Sequence, residues 1–263
     1  MARLQIIGGG KMGEALVGGL LARAWATPAE LIVVEQLGDR RDVLAAALPG
    51  VTVSDRPAGG VDAIVAVKPD AVDGVSAELA RHHVRRVLSI AAGIRIARLE
   101  AHLGERTAVV RAMPNTPALV GLGAAAIARG THATDADIGW AESILSSVGE
   151  VLEVEEALLD AVTGLSGSGP AYVFLLAEAM IDAGVAVGLP HDVSVALTEQ
   201  TLLGSATLLR RSTDGPAVLR QNVTSPGGTT AAGLAVFETA RFRQIVVDVV
   251  TAATARSIEL SST

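Results

Sequence analysis

One stretch near the amino terminus decides the fold: Leu4-Gln5-Ile6-Ile7-Gly8-Gly9-Gly10-Lys11-Met12-Gly13. An apolar strand runs into a glycine-rich turn, and the turn opens a predicted helix. In the pattern G-x-G-x-x-G the first glycine permits the tight turn, the second lets a pyrophosphate approach, and the third lets helix and strand pack closely. The alternative is a plain glycine-rich turn. Because a strand precedes the glycines and a helix follows, we predict a dinucleotide site that includes Gly8, Gly10, Lys11, Met12 and Gly13.

The following residues alternate short β-branched runs with helical stretches, which is typical of a parallel sheet with helices on both faces. Strands are predicted at Leu4 to Ile7, Leu31 to Val34, Val51 to Val53, Ala63 to Val67, Val87 to Ser89, Ala108 to Arg111, Ala124 to Ala128 and Glu150 to Val154. Helices are predicted at Met12 to Arg23, Asp39 to Leu48, Asp70 to His82, Ile96 to Leu103 and Thr134 to Ser146. Residues 1–157 are therefore predicted to form a doubly wound α/β domain of the Rossmann type.

After about Ala157 the pattern changes to long apolar stretches at helical spacing. Helices are predicted at Ala171 to Val187, Val193 to Arg210, Thr229 to Ala240 and Arg243 to Leu260. Two of these are apolar nearly all round, which favours burial against more than one sheet face. We therefore predict that residues 158–263 form an all-α C-terminal domain with a subunit interface.

Composition excludes several classes of protein. The formal net charge is −7, so no basic surface is expected for nucleic acid or anionic lipid. The chain has no cysteine, which excludes disulfides and thiolate chemistry and fits a reducing cytoplasm. Glycines interrupt the first apolar run before it could form a signal peptide, and prolines and glycines interrupt the longest uncharged stretches. A soluble cytoplasmic protein is expected.

Residues further along favour a nicotinamide coenzyme but leave its identity open. Glu35 ends the second strand about 20 residues after the glycines, where an acid accepts hydrogen bonds from the adenosine ribose and favours NADH. Arg40 and Arg41 follow closely, and either one could instead bind the 2′-phosphate of NADPH. Lys68 follows the fourth strand, at the edge of the sheet where ligands bind. The chain has two lysines, Lys11 and Lys68, and both fall in these predicted coenzyme loops.

The residues expected of several reductase classes are missing. Tyr172 has Leu176 four positions later, which excludes the Tyr-x-x-x-Lys pair of short-chain dehydrogenases. The second domain has no lysine, which β-hydroxyacid dehydrogenases need there. The five histidines have no spacing typical of a metal site, so no metal is predicted. A protonated C=N bond already carries its activating proton, so an imine substrate would resolve this lack of an acid.

Two segments of the helical part are rich in small residues: Ser166 to Tyr172 and Thr224 to Thr230. Each is predicted to form a turn before a long helix. Glycines before a helix start expose several backbone N–H groups together, and the hydroxyl side chains add further donors, so either turn could hold a carboxylate. The alternative is an ordinary N-cap with its turn.

Taken together, these segments make the chain resemble the pyrroline-5-carboxylate reductase family. The resemblance rests on motifs that occur in the family's order along nearly the whole chain. These motifs are Ile7 to Gly13, Val67-Lys68-Pro69, Arg111 to Pro117, Ser166 to Tyr172, and Val223-Thr224-Ser225-Pro226-Gly227-Gly228-Thr229-Thr230.

The resemblance implies NAD(P)H-dependent reduction of L-1-pyrroline-5-carboxylate to L-proline, the last step of proline biosynthesis. It implies a homodimer whose helical domain binds the substrate, and larger rings of dimers such as a decamer. Residues implied to border the coenzyme's ribose and nicotinamide are Val67, Lys68, Pro69, Met113, Pro114 and Asn115. Residues implied to bind the substrate carboxylate are Ser225, Gly227, Gly228, Thr229 and Thr230, with Thr230 also close to the ring nitrogen. The rival hypotheses are a related two-domain reductase of another cyclic imine or keto acid, and a non-enzymatic NADPH-binding sensor.

Overall fold

A computed structural model describes residues 2–261. Eight strands form one sheet in the order β3-β2-β1-β4-β5-β6-β7-β8. Their bounds are β1 Leu4–Ile7, β2 Leu31–Val34, β3 Thr52–Ser54, β4 Asp62–Val65, β5 Arg86–Ser89, β6 Ala108–Met113, β7 Gly123–Arg129 and β8 Gly149–Glu153. Strands β1 to β6 are parallel, β7 is antiparallel to β6, and β8 is parallel to β7. The first six strands have the Rossmann order 3-2-1-4-5-6, which confirms the predicted fold class.

Eleven α-helices accompany the sheet in the described residues. Their bounds are α1 Lys11–Ala22, α2 Gly38–Ala47, α3 Val72–Arg81, α4 Ile96–Leu103, α5 Asp135–Leu145, α6 Leu159–Val162, α7 Gly169–Ala186, α8 His191–Arg211, α9 Pro216–Asn222, α10 Thr229–Thr239 and α11 Phe242–Ser261. Short 3₁₀ turns precede β2 and α3 and follow β6.

Helices on both faces of the sheet bury its central strands completely. All four residues of β1, β2 and β4 are buried. Alternate residues point to opposite faces, so Leu4 and Ile6 belong to one apolar cluster and Ile7 to the other. Burial on both faces explains why these strands read as continuous apolar runs.

Besides Asp62 at the start of β4, Gln5 is a buried polar residue within these three strands. Its side chain is fully buried, donates hydrogen bonds to the carbonyl oxygens of Ala58 and Val61, and accepts one from the Ala58 N–H. These bonds fasten the loop between β3 and β4 to the first strand.

The described chain divides into two compact units. The first consists of the chain up to Ser168 together with the stretch from Thr251 onward, and the second is Gly169–Val250. Within the first unit, the buried carboxylate of Asp160 accepts hydrogen bonds from Arg95 and from Ser257, near the end of α11. The guanidinium of Arg95 also donates to the hydroxyl of Ser261. These bonds anchor the last turns of α11 in the first unit.

The second unit is helical and exposes much apolar surface. Helices α7 and α8 pack on each other, and a Cβ at Gly184 would clash with the hydroxyl of Ser194 at their crossing. No residue of α7 or α10 is buried in the described single chain, although both helices are rich in apolar side chains. Phe174 is 62% exposed and Val236 is 70% exposed. Large amounts of exposed apolar surface mark interaction sites.

The structure differs from the sequence predictions in several places. The turn predicted at 166–172 is absent, because a π-helical stretch Thr163–Gly167 leads directly into α7. The short helix α9 is additional. By length and composition alone, one helical stretch within Glu156–Ala186 of the described chain is long and apolar enough to span a membrane.

Candidate active site

The glycine-rich turn lies at the carboxyl end of β1, next to β4, where the strand order reverses. Open α/β sheets bind ligands at this point. Gly8 has φ +109°, and a Cβ there would lie 2.5 Å from the carbonyl oxygen of Ala66. A Cβ at Gly13 would clash with the carbonyl oxygen of Gly8, whereas a Cβ at Gly10 would meet nothing within 4 Å. Gly8 and Gly13 are therefore needed for packing, and Gly10 leaves open space above the helix start.

A cleft of about 400 Å³ opens beside this turn. It is lined by Ile7, Gly8, Gly10, Val34, Glu35, Gln36, Pro57, Ala66, Val67, Lys68, Asp70, Ala71, Val75 and Glu78. Five predicted coenzyme residues thus come together in the lining: Gly8, Gly10, Glu35, Val67 and Lys68. The bare backbone at Gly10 and the positive end of α1 fit the pyrophosphate of a dinucleotide.

Backbone hydrogen bonds fix the carboxylate of Glu35 at the end of β2. One oxygen accepts a hydrogen bond from the Gly9 N–H at 3.1 Å, and the other accepts one from the Leu37 N–H at 3.0 Å. Each carboxylate oxygen has a second lone pair, so Glu35 keeps the capacity to accept hydrogen bonds from a ligand in the cleft.

Both neighbouring arginines are engaged elsewhere. Arg40 donates to the carbonyl oxygen of Gly9 at 2.9 Å and forms a salt bridge with Glu14 at 2.7 Å. Arg41 donates to the carbonyl oxygens of Glu35 and Gln36. Neither arginine lines the cleft among the described residues.

The other predicted residues of the first motif lie around the start of α1. Lys11 is the first residue of the helix, and its exposed side chain lines a neighbouring groove with Leu119 and Val120. Met12 packs against one of the two apolar clusters, and Gly13 is buried between α1 and the turn. Met12 and Gly13 therefore support the start of α1 by packing beneath it and are not among the described residues that line the cleft.

After β4 the predicted residues divide between two clefts. Val67 and Lys68 line the cleft beside the glycines, and Lys68 is the N-cap of a 3₁₀ turn that begins at Pro69. Pro69 lines a second cleft of about 530 Å³ together with Gly93 and Ser168. The loops after β4 and β5 thus line a second cleft, and a ligand at this edge of the sheet could contact both clefts.

The residues after β6 are largely occupied by contacts within the protein. Met113 packs against the second apolar cluster, and its Cε blocks any Cβ at Gly167. Pro114 is buried. The side chain of Asn115 donates to the carbonyl oxygen of Ser166 and accepts a hydrogen bond from the Ala124 N–H. Asn115 therefore joins β7 to the π-helical stretch.

The predicted substrate loop lies in the second unit and leads into α10. Gly227 is left-handed with φ +71°, and Gly228 is the N-cap of the helix. The Gly228 N–H donates to the carbonyl oxygen of Ser225, which closes the turn. Thr229 and Thr230 are exposed in the first turn of α10, where backbone N–H groups lack helical acceptors. The loop can therefore offer backbone and hydroxyl donors to an anion.

Several residues at or near the site could not be identified from the sequence pattern. Pro57 and Glu78 line the cleft from segments far from the motif, and no local pattern marks them. Arg111 is 3% exposed and pairs with Glu156, whose carboxylate also accepts the Ile96 N–H at the start of α4. A charged residue in the middle of the apolar run of β6 is the signal that could have revealed this pair. Among the described residues no group of three or more His, Asp or Glu could hold a metal ion.

Comparisons with known proteins agree with this geometry. A family model for pyrroline-5-carboxylate reductase dimerisation matches residues 156–260, and one for NADP oxidoreductase, coenzyme F420-dependent, matches residues 3–93. The chain is 45% identical to the pyrroline-5-carboxylate reductase of Synechocystis sp., covering 98% of each chain. It is 40% identical to that of Arabidopsis thaliana, covering 98% of this chain and 95% of the relative.

Solved structures give the same result. The pyrroline-5-carboxylate reductase of Coxiella burnetii is similar with a TM-score of 0.93 at 36% identity, over 100% of this chain and 99% of that one. The pyrroline carboxylate reductase of Plasmodium falciparum, solved with NADP bound, gives a TM-score of 0.85 at 30% identity, over 99% and 98%.

The Rossmann-ordered sheet, the glycine-rich turn formed by Gly8 to Gly13 (the glycine cradle) and the helical C-terminal segment define a two-domain, nicotinamide-dependent oxidoreductase. The similarity to known reductases over the full length of the chain identifies the family within this class of oxidoreductases. The chain belongs to the pyrroline-5-carboxylate reductase family and carries that family's dimerisation segment, so it forms a homo-oligomer.

Proposed function

We propose that the chain reduces L-1-pyrroline-5-carboxylate to L-proline with NADPH or NADH, the last step of proline biosynthesis. The observation that carries this proposal is the glycine cradle at the carboxyl end of β1, in a chain that matches pyrroline-5-carboxylate reductases along its whole length. A related reductase of another cyclic imine or keto acid, or a sensor that binds NADPH without oxidising it, would need the same cradle but would not turn over this substrate.

In the proposed reaction residues 1–157 bind the coenzyme. Gly8, Gly10, Lys11, Met12 and Gly13 hold the pyrophosphate, with the N–H groups of the first turn of α1 as donors. When bound, the reduced nicotinamide supplies a hydride from its C4 atom. The ribose and nicotinamide are bordered by Val67, Lys68, Pro69, Met113, Pro114 and Asn115, of which Asn115 contributes its backbone because its side chain is already bonded.

Residues 158–263 form the substrate-binding and dimerisation domain in this proposal. Ser225, Gly227, Gly228, Thr229 and Thr230 bind the substrate carboxylate at the positive end of α10. The hydroxyl of Thr230 hydrogen-bonds to the ring nitrogen and orients it. An alcohol is too weak an acid to be a free proton source, so the proton comes from the substrate iminium or from water. Orienting both reactants in this way can supply about 7 to 11 kcal/mol of the barrier reduction.

Turnover is the direct test. Purified protein is mixed with NADH or NADPH and pyrroline-5-carboxylate, loss of reduced-nicotinamide absorbance is followed, and proline is identified by mass. We expect both to depend on the substrate. Coenzyme binding without oxidation would favour the sensor, and oxidation with a different imine alone would favour the related reductase.

Replacing the Thr230 hydroxyl should impair catalysis more than coenzyme binding. Thr230→Val removes one hydrogen bond to the reacting nitrogen, which costs about 1 to 3 kcal/mol, so kcat/KM should fall about tenfold or more. The matched control is Thr239→Val at the other end of α10, whose hydroxyl is bonded to the carbonyl oxygen of Ala235. If Thr230→Val keeps the kcat/KM of the control, Thr230 has no catalytic role.

We propose that the apolar surface of the second unit is covered by a second copy of the chain, and that dimers assemble further into a ring such as a decamer. The apolar stretch within Glu156–Ala186 lies in the segment matched by the family's dimerisation model, which supports an interface between subunits rather than a membrane span. With a net charge of −7, a soluble cytoplasmic oligomer without nucleic acid or membrane partners is the proposed state.

Light scattering coupled to size-exclusion chromatography tests the assembly. At micromolar protein we expect a mass of at least two chains, because burying large apolar surfaces such as that around Phe174 and Val236 stabilises association. A monomer mass at that concentration would contradict the proposed interface.

A further inference from the structure

The cleft beside the glycine-rich turn has an unequal balance of charge. Of the described residues that line it, three are acidic, Glu35, Asp70 and Glu78, and one is basic, Lys68. NADPH differs from NADH by a phosphate on the 2′ oxygen of the adenosine ribose, and such a phosphate carries a charge of roughly −1.5 to −2 at neutral pH. An acidic lining therefore repels NADPH more strongly than NADH.

Glu35 presents this negative charge in a fixed orientation. The N–H groups of Gly9 and Leu37 each donate to a different oxygen of this carboxylate, so it cannot swing away without breaking two hydrogen bonds. Its remaining lone pairs can accept hydrogen bonds from ribose hydroxyls but not from a phosphate dianion, which has no proton to donate. The same group thus attracts one coenzyme and repels the other.

The cations that could compensate a 2′-phosphate are directed elsewhere. To reach the cleft, Arg40 would have to leave both Glu14 and the carbonyl oxygen of Gly9. Arg41 donates to the carbonyl oxygens of Glu35 and Gln36 through one guanidinium nitrogen, and neither arginine is among the described residues that line the cleft. Binding NADPH would therefore require repulsion by Glu35 and a reorientation of these arginines.

We propose that this chain selects NADH over NADPH, and that Glu35 is the residue that determines the selection. The inference rests on the proposed function in that it assumes a nicotinamide coenzyme in this cleft. The glycine motif binds the pyrophosphate that NADH and NADPH share, so it does not distinguish them. The proposal assigns that distinction to Glu35.

Equilibrium binding without substrate tests the proposal. The fluorescence of NADH and of NADPH is titrated with full-length wild type, Glu35→Gln, and the control Glu142→Gln, which removes an exposed carboxylate on α5. We expect wild type to bind NADH at least about tenfold more tightly than NADPH. Glu35→Gln should bring the two dissociation constants within about threefold of each other, and Glu142→Gln should keep the wild-type ratio.

Each of two outcomes would overturn the proposal. One is a wild type that binds NADPH as tightly as NADH, which is informative even if Glu35→Gln does not fold. The other is an Arg41→Ala variant that folds but binds NADPH at least about tenfold more weakly than wild type, because Arg41 would then contact the 2′-phosphate. An Arg41→Ala variant with an unchanged NADPH affinity supports the inference.

Failure of this inference is distinguishable from failure of the proposed function. Binding is measured without pyrroline-5-carboxylate, so a chain that prefers NADH but does not reduce that substrate contradicts the proposed reaction alone. A chain that reduces the substrate but prefers NADPH contradicts the selection by Glu35 alone.

Discussion

Replacing Gly13 with alanine is expected to weaken coenzyme binding strongly. The new Cβ would clash with the carbonyl oxygen of Gly8 and lie 3.3 Å from Cγ2 of Ile6, so α1 must move away from β1. The obstructing oxygen belongs to the backbone and cannot rotate aside. Because the pyrophosphate depends on the first N–H groups of α1, we expect the dissociation constant for NADH to rise at least about 100-fold, equivalent to about 2.7 kcal/mol.

The matched control is Gly18→Ala on the same helix. A Cβ at Gly18 would meet nothing within 4 Å, and alanine in a helix interior stabilises by about 0.5 to 1 kcal/mol relative to glycine. We expect Gly18→Ala to bind NADH as wild type does, with an equal or higher melting temperature. Wild-type NADH affinity in Gly13→Ala would mean that the cradle is not the coenzyme site.

Removing the carboxylate of Glu156 is expected to destabilise the protein severely. Arg111 is 3% exposed, and Glu156 accepts its hydrogen bond at 2.9 Å together with that of the Ile96 N–H. Glu156→Ala would leave a buried guanidinium without a counter-charge, which costs about 3 to 5 kcal/mol. Urea unfolding at a fixed protein concentration measures the change, because association shifts apparent stability.

The neighbouring residue provides the control. Glu155 is exposed and uses its backbone carbonyl, rather than its carboxylate, in the following turn, so Glu155→Ala should change stability by less than about 0.5 kcal/mol. A double variant, Arg111→Met with Glu156→Leu, should be more stable than Glu156→Ala because no unpaired charge remains. A loss below about 1 kcal/mol in Glu156→Ala would show that water or another group compensates Arg111.

Several elements could be predicted to the residue from sequence. The predicted limits of β1, β2 and α4 coincide with those in the structure. Strands buried on both faces are uninterrupted apolar runs, and turn residues end them sharply. The amphipathic pattern between Arg95 and Gly104 marks α4 equally clearly.

Other features could not be predicted because the pattern does not encode them. Apolar periodicity is the same for either strand direction, so the antiparallel placement of β7 was not evident. Small residues at 166–172 are predicted to form a turn, yet the structure has a π-helical stretch Thr163–Gly167 that leads directly into α7. The seven-residue helix α9 is too short for a periodic signal.

Some features of the candidate site could likewise be predicted from the sequence, and others could not. The glycines form a local motif, so the cradle could be predicted, and the structure brings Glu35 and Lys68 to it as expected. The orientations of Arg40 and Arg41 depend on Glu14 and on backbone carbonyls, which no spacing rule places. The sequence therefore leaves the choice between NADH and NADPH open, and the proposed preference for NADH rests on the side-chain contacts of Glu35, Arg40 and Arg41.

The anchoring of α11 in the first unit bears on how the chain is made. The hydrogen bond between Asp160 and Ser257 joins residues 97 positions apart, and all of the second unit lies between them. During synthesis the sheet can assemble early, but Asp160 acquires this partner only after residue 257 has left the ribosome. Such long-range closure is slow. This hydrogen bond within the first unit therefore forms only after all of the second unit has been synthesised.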